Sequence, residues 1–412
     1  MKNIITTFLL ILTLTSYSFS QQWFNKITDE VGIAEAKGFR VWLTDINGDD
    51  YPDLVWGGDK GALYNHIFVF LNIPNPDPNA KLKRIFKDFT QESGLQVSRI
   101  DSIDSRIVDI AAFADLDNDG DLDVVTSIYG HRVQNYVSTG DRTEVMLNDG
   151  SGHFTLVYNS GLSNFNYASN LALGQTNTTG LSFLDYDLDG IIDLYIGSWF
   201  ADYTGNSADI HMANYLFKGN GDGTFQKGQQ LGVPEALYGT NVTDWNNDGW
   251  PDIVNSPYCR TSGQFFKNVD GQMIEASAEA DYNTQRLGGD HGQNLCQWEA
   301  NPADFDNDGD MDLLEVKVHG GYNPGEGRTT ISMNTGIENG YKYEWVLDRI
   351  RRAAPIESHL GDQGGTWFDI DNDGLLDIAL GQNSYPQANI YGQERLYLLL
   401  QGTDGYFDEV LP

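Results

Sequence analysis

The chain has 412 residues, 40% apolar and 12% aromatic with 20% charged, a balance that supplies a large core and excludes wholesale disorder. Asp and Glu outnumber Lys and Arg 59 to 25, for a formal net charge of −34, so nucleic acid and anionic membrane surfaces are excluded as partners. The 2 cysteines, Cys259 and Cys296, exclude both a disulfide scaffold and a Cys-based zinc domain. An exported chain would permit one disulfide between them, and two buried free thiols are the alternative.

Residues 1–20 carry Lys2, an apolar stretch from Ile4 to Leu14, and small residues Ser18 and Ser20 before Gln21. This predicts a secretory signal peptide, because the apolar run is too short to cross a bilayer. The expectation is therefore an exported protein, periplasmic or secreted, with one domain over 21–412. It has no membrane span and is expected to be a monomer.

From residue 45 onward one pattern recurs six times, at intervals of about 65 residues. Its side-chain oxygens fall at positions 1, 3, 5 and 9. The copies are Asp45, Asn47, Asp49 and Asp53; Asp115, Asp117, Asp119 and Asp123; Asp185, Asp187, Asp189 and Asp193; Asp244, Asn246, Asp248 and Asp252; Asp304, Asp306, Asp308 and Asp312; and Asp369, Asp371, Asp373 and Asp377. Position 6 is glycine in every copy but the first, which has Asp50. Oxygens at these spacings, with a backbone carbonyl at position 7, form the hard and adaptable cage that Ca²⁺ prefers. Magnesium demands a tighter octahedron, and zinc prefers His or Cys, which these loops lack. Up to six structural Ca²⁺ ions are expected. An EF-hand would place Glu at position 12, where only the fifth copy has one, Glu315, and would flank each loop with helices. Short β-type runs such as Val41-Trp42-Leu43 and Leu54-Val55-Trp56 enter and leave the loops instead, making strand-loop-strand units.

Each unit holds further strand signals, for example Glu144 to Leu147, the turn Asn148-Asp149-Gly150, then His153 to Val157. Four strands per unit is the simplest count. The segment Trp23 to Glu30 is similar to the outer-strand segment Ile85 to Glu92, and reads as a clasp closing a ring or as a remnant of a seventh unit.

The sequences Phe183-Leu-Asp-Tyr-Asp-Leu-Asp-Gly190, Gly219-Asn-Gly-Asp-Gly-Thr-Phe225 and Phe368-Asp-Ile-Asp-Asn-Asp-Gly374 resemble the FG-GAP or VCBS-repeat β-propellers, the family of the integrin alpha headpiece. The resemblance implies an all-β propeller whose blades of four antiparallel strands carry calcium between the first and second strands. Six loops at one period favour six blades, with seven as the alternative. The family includes adhesive receptors, lectins, polysaccharide lyases and a sugar dehydratase, and fold alone does not choose among them.

Function is expected on the rim opposite the calcium loops, where His, Arg and Tyr gather despite the acidic whole. Around the fifth unit lie His291, Lys317, His319, Tyr322 and Arg328, with His359 beyond and Tyr258 and Arg260 from the fourth unit. β-Elimination on a uronic acid needs a cation to neutralise the carboxylate, a base for the α-proton and an acid for the leaving group. His291, His319 or His359 is the expected base, Tyr322 or Tyr258 the acid, and Arg260 and Arg328 the carboxylate clamps. Three histidines could instead hold a transition metal. The rim loops differ from unit to unit, which favours one composite active site on an acidic poly- or oligosaccharide. The alternative is a non-catalytic carbohydrate-binding propeller, lectin- or adhesin-like.

Overall fold

The computed structural model describes residues 27–34, 37–60, 63–99, 106–128, 142–168, 174–202, 210–257, 263–282, 296–318, 329–346, 348–352, 360–384 and 395–410. Its strands form six antiparallel four-stranded blades. Blade 1 comprises Lys37–Thr44, Asp53–Lys60, Leu63–Pro74 and Arg84–Asp88, and blade 2 Ile110–Ala114, Asp123–Ser127, Glu144–Asn148 and Phe154–Leu156. Blade 3 comprises Thr178–Leu184, Asp193–Ser198, Asn214–Phe217 and Gln229–Leu231, with a small ribbon of Phe200–Asp202 and Ile210–His211 beyond its second strand. Blade 4 is Leu237–Thr243, Asp252–Pro257, Phe265–Val269 and Gln272–Glu275; blade 5 is Cys296–Ala303, Asp312–Val318, Thr330–Asn334 and Tyr343–Val346. Blade 6 is Leu360–Phe368, Asp377–Ser384, Arg395–Gln401 and Phe407–Glu409, and Ile350–Arg351 adds a parallel edge to its outer strand. The described residues contain no α-helix, only a short 3₁₀ turn at Ile337–Asn339, and no helix among them is long and apolar enough to cross a membrane.

The second strands read as near-continuous apolar runs because both faces of each blade are buried, and successive strand residues point to opposite faces. Val124 faces Val55 and Val69 of blade 1, while the next residue, Val125, faces Leu194 and Phe217 of blade 3. Tyr195 meets Ile253 and Phe266 of blade 4, Val254 meets Leu313 and Tyr343 of blade 5, and Leu314 meets Ile378 and Leu399 of blade 6. Five interblade cores result. At the sixth junction no described core cluster joins blade 6 to blade 1: the cluster of Leu54, Trp56, Phe68 and Phe70 gathers Ile33 and Phe86. Val41 and Leu43 on the innermost strand of blade 1 are 61% and 65% exposed, and Leu396 of blade 6 is 63% exposed.

Four of the five connections between successive blades fold onto the outer side of the next blade. The carbonyls of Ser93, Ser160, Ala280 and Arg349 accept the backbone N–H of Phe154, Phe225, Tyr343 and Phe407, all at 2.8 Å. The carbonyl of Val31 takes the Phe86 N–H at the same distance. Of the expected outer strand or clasp over Trp23 to Glu30, the described part, Ile27 to Glu30, leads into a turn, as the matching residues Phe89 to Glu92 do. Its first residues, Trp23 to Lys26, and the whole signal-peptide segment lie outside the described residues, as does Cys259.

Candidate metal centres and rim

Antiparallel order places the loop between strands one and two at the same end of a blade as the turn between strands three and four. All six acidic loops occupy the first of these connections. Each is shaped by its position-1 carboxylate. In loop 2, counting in chain order, Asp115 accepts the N–H of Asp119 on Oδ1 at 3.1 Å and that of Gly120 on Oδ2 at 3.0 Å. The same pair recurs at Asp45, Asp185, Asp244, Asp304 and Asp369. The sharp turn puts position 6 in the left-handed region, with φ 84–96° at its five glycines and 65° at Asp50.

Position 9 ties the loop to the blade. Asp53, Asp123, Asp193, Asp252, Asp312 and Asp377 are at most 2% exposed, and Oδ1 of each accepts a backbone N–H at the end of the third strand at 2.7–2.8 Å. In five loops Oδ2 takes the N–H of position 2 at 2.9–3.2 Å, and in loop 5 Asp312 Oδ2 is buried without a hydrogen-bond partner. Burial, reinforced by neighbouring carboxylates, pushes these carboxyls up, to about 6 at Asp123 and Asp193, about 7 at Asp252 and about 8 at Asp312. Asp53 and Asp377 shift the same way.

Position 3 gives the sharpest indication of what the loops can hold. Oδ1 of Asp117, Asp187, Asn246 and Asp306 is buried and has no hydrogen-bond partner, an arrangement that costs free energy unless a cation meets the oxygen. One ligand oxygen from each of Asp115, Asp117 and Asp123 lies within 4.8 Å of the others, and the same holds for Asp185, Asp187 and Asp193, for Asp304, Asp306 and Asp308, and for Asp369, Asp371 and Asp377. The donor set is all oxygen, with nothing soft, and fits a hard divalent cation.

The seven rim residues expected to do chemistry, His291, His319, His359, Tyr322, Tyr258, Arg260 and Arg328, lie outside the described residues. The roots of their loops are pinned. Lys317, 1% exposed, pairs with Glu315 at 2.8 Å and lies 4.0 Å from the Trp345 ring centroid. Arg352 pairs with buried Asp362, which also accepts from Thr329. Other residues of the cationic and aromatic rim pattern serve packing. Arg106 is 1% exposed and donates to Thr126 and Met146, Arg142 donates to the Ser163 carbonyl at 2.8 Å, and Trp199, Tyr238 and Trp298 stack with centroids 4.7 and 3.6 Å apart.

Between the blade 2–3 connection and the outer strands of blade 3 lies an open cleft of about 730 Å³ that the repeat pattern did not signal. Phe165 and Tyr215 meet edge to face at 4.9 Å, backed by Phe217. The exposed amides of Asn164, Asn166 and Gln230 and the Lys227 ammonium surround the two rings. Those of Asn164 and Asn166 make no hydrogen bond to the described residues, and only one of Gln230 is recorded, to the Gly232 carbonyl at 3.1 Å. A period-based reading does not find it, because Phe165 comes from a connection that differs between units and meets Tyr215 of the third strand of blade 3 only in the fold.

Residues 185–255, spanning loops 3 and 4, match the FG-GAP-like repeat. With six blades and six loops of one design, the chain is a six-bladed β-propeller, and within it the FG-GAP-like repeat is matched over blades 3 and 4. Among solved structures it is similar to an Agrocybe aegerita lectin that recognises non-reducing terminal N-acetylglucosamine, at 15% identity and TM-score 0.47, covering 93% of this chain and 83% of that one. It is also similar to the V. cholerae biofilm matrix protein Bap1, at 14% identity and TM-score 0.37, covering 74% of this chain and 37% of that one. No curated protein matches the chain.

Proposed function

We propose that the protein is an exported β-propeller, held in shape by Ca²⁺ in its acidic loops, that binds carbohydrate. The observation that carries the carbohydrate reading is the cleft at Phe165 and Tyr215. Aromatic faces suit the apolar face of a sugar ring, while the amides around them can pair with its hydroxyls at either polarity. Its openness suits a unit within a longer saccharide. Titration of the calcium-loaded chain with a panel of oligosaccharides, in wild type and Tyr215→Ala, tests this. A saccharide whose affinity falls about tenfold or more in the variant supports the reading. Equal binding by both, or none by either, rejects the cleft.

A finer reading is β-elimination of an acidic saccharide at the opposite rim. Arg260 and Arg328 would neutralise the uronate carboxylate, a histidine among His291, His319 and His359 would take the α-proton, and Tyr322 or Tyr258 would protonate the leaving oxygen. The buried pairs Lys317–Glu315 and Arg352–Asp362 favour it, because they fix the bases of the two loops that carry His319 and His359. Appearance of the unsaturated uronate chromophore, lost in His291→Ala, His319→Ala or His359→Ala, tests this reading. Binding of a uronic-acid saccharide without that chromophore leaves the protein a binder alone.

A further inference from the structure

Loops 2, 3, 5 and 6 carry aspartate at all four ligand positions, and of these four only loop 3 is engaged by a side-chain cation among the described residues; in loop 1, which has Asn47 at position 3, Arg84 pairs with Asp49 at 3.0 Å. Lys218 Nζ lies 2.8 Å from Asp189 Oδ2 and also hydrogen-bonds Asp187 Oδ2. These are side chains at positions 5 and 3, the oxygens a bound dication would need. The register explains the reach. Lys218 directly follows the third strand, level with Asp193 and immediately before Gly219, whose N–H binds Asp193 Oδ1 at 2.8 Å.

The same register holds Leu71, Leu147, Lys267, Met333 and Leu400 in the other blades. Four of these carry no charge. Lys267, the other cation, turns away from its loop to Glu279 at 3.2 Å, over the Trp245 ring. Position alone therefore does not fill a loop; Lys218 is distinguished by where its ammonium goes. Asp187 meanwhile keeps Oδ1 buried and unpaired, so a single ammonium leaves the cage partly unsatisfied.

We propose that Lys218 is a tethered counter-cation that occupies loop 3 until a divalent ion displaces it, making loop 3 the weakest of the four all-aspartate cages and the last of them to fill. The inference rests on the calcium reading of the loops given above. The Lys218 side chain is 27% exposed, and its flexible stem lets the ammonium swing into water when a dication takes its oxygens. A monovalent ammonium satisfies less of the cage than Ca²⁺ does, so displacement proceeds at a higher free-ion concentration than at loops 2, 5 and 6. In the ion-free protein the same ammonium offsets repulsion among four carboxylates, and loop 3 is the loop least disturbed by stripping.

The test is a calorimetric calcium titration of the stripped full-length chain, in wild type, Lys218→Met and Lys267→Met. The wild type should show a late, weak step. In Lys218→Met that step should tighten by about tenfold or more, while Lys267→Met, which removes the same charge at the same register, should leave the isotherm unchanged. Lys218→Gln provides a second charge-free variant, and a calcium-loaded melt of each variant verifies that it is folded. An isotherm unaltered by both Lys218 variants overturns the proposal, as does an equal shift in Lys267→Met. Calcium binding by neither wild type nor variants instead overturns the calcium reading itself.

Discussion

Asn148 and Asp123 join one acidic loop to the next: the Asn148 backbone N–H donates to Asp123 Oδ1 at 2.8 Å, while its side-chain amide donates to the Ile46 carbonyl of loop 1 at 2.8 Å. The Ile46 N–H in turn donates to Asp53. Asn268 repeats this link to Tyr186, Asn334 to Trp245 and Gln401 to Phe305, and in blade 3 the Gly223 N–H reaches the Leu116 carbonyl at 3.0 Å. The loops from blade 1 to blade 6 are thus connected in series through buried hydrogen bonds. Asn72, the counterpart in blade 1, donates to Pro52 of its own loop, in keeping with the exposed blade 6–1 junction.

Asn334→Ala removes the partner of the buried Trp245 carbonyl while keeping the backbone N–H that serves Asp312. An unpaired buried carbonyl costs about 1–3 kcal/mol. Denaturant unfolding of the calcium-loaded variant should show a loss of that size; an unchanged midpoint would remove the link from the account.

The pH dependence follows from position 9. Asp123, Asp193, Asp252 and Asp312 hold protons in the folded, ion-free chain up to about 6, 6, 7 and 8, well above the value of an unfolded aspartate near 3.9. Above the unfolded value the folded state binds more protons than the unfolded one, so the stability of stripped protein falls as pH rises through this window. On the proposed calcium reading, the bound ion takes the place of those protons. The melting-temperature gap between calcium-loaded and stripped protein should therefore widen from about pH 5 to about pH 8. A gap that is constant or narrows over that range would contradict the burial of these carboxylates.

Asp50 adopts a left-handed φ of 65° where the other five loops have glycine, and Leu188 in loop 3 does so at 55°. Asp50→Gly should stabilise the protein by about 1 kcal/mol, as relief of left-handed strain predicts. Leu188→Gly should shift the midpoint the same way. Destabilisation by both would mean that side-chain contacts outweigh the backbone term.

Much of this architecture was legible in the sequence because it repeats. The six aspartate patterns fixed the period, the strand-loop-strand units and the blade count, since two-sided burial forces apolar runs such as Leu194-Tyr195-Ile196 on both sides of an acidic loop. The interblade donors also left a trace, as an asparagine near the end of the third strand at Asn148, Asn268 and Asn334, but an amide has no evident role until its partner blade is in place. Lys218 and Lys267 are indistinguishable in sequence at one register, and only side-chain direction separates them. Arg106 reads as a rim cation by position, yet it is buried in blade 2. The cleft joins Phe165, from a non-repeating connection where pattern carries no information, to Tyr215 of a blade 3 strand about fifty residues on.

The six loops are proposed as calcium sites on which the propeller depends. Thermal unfolding of the full-length chain, stripped of ions and then supplied with calcium or magnesium, tests this most directly. The predicted result is a melting temperature that falls on stripping, returns with calcium and returns far less with magnesium at equal concentration. The same melting temperature in all three states would contradict it.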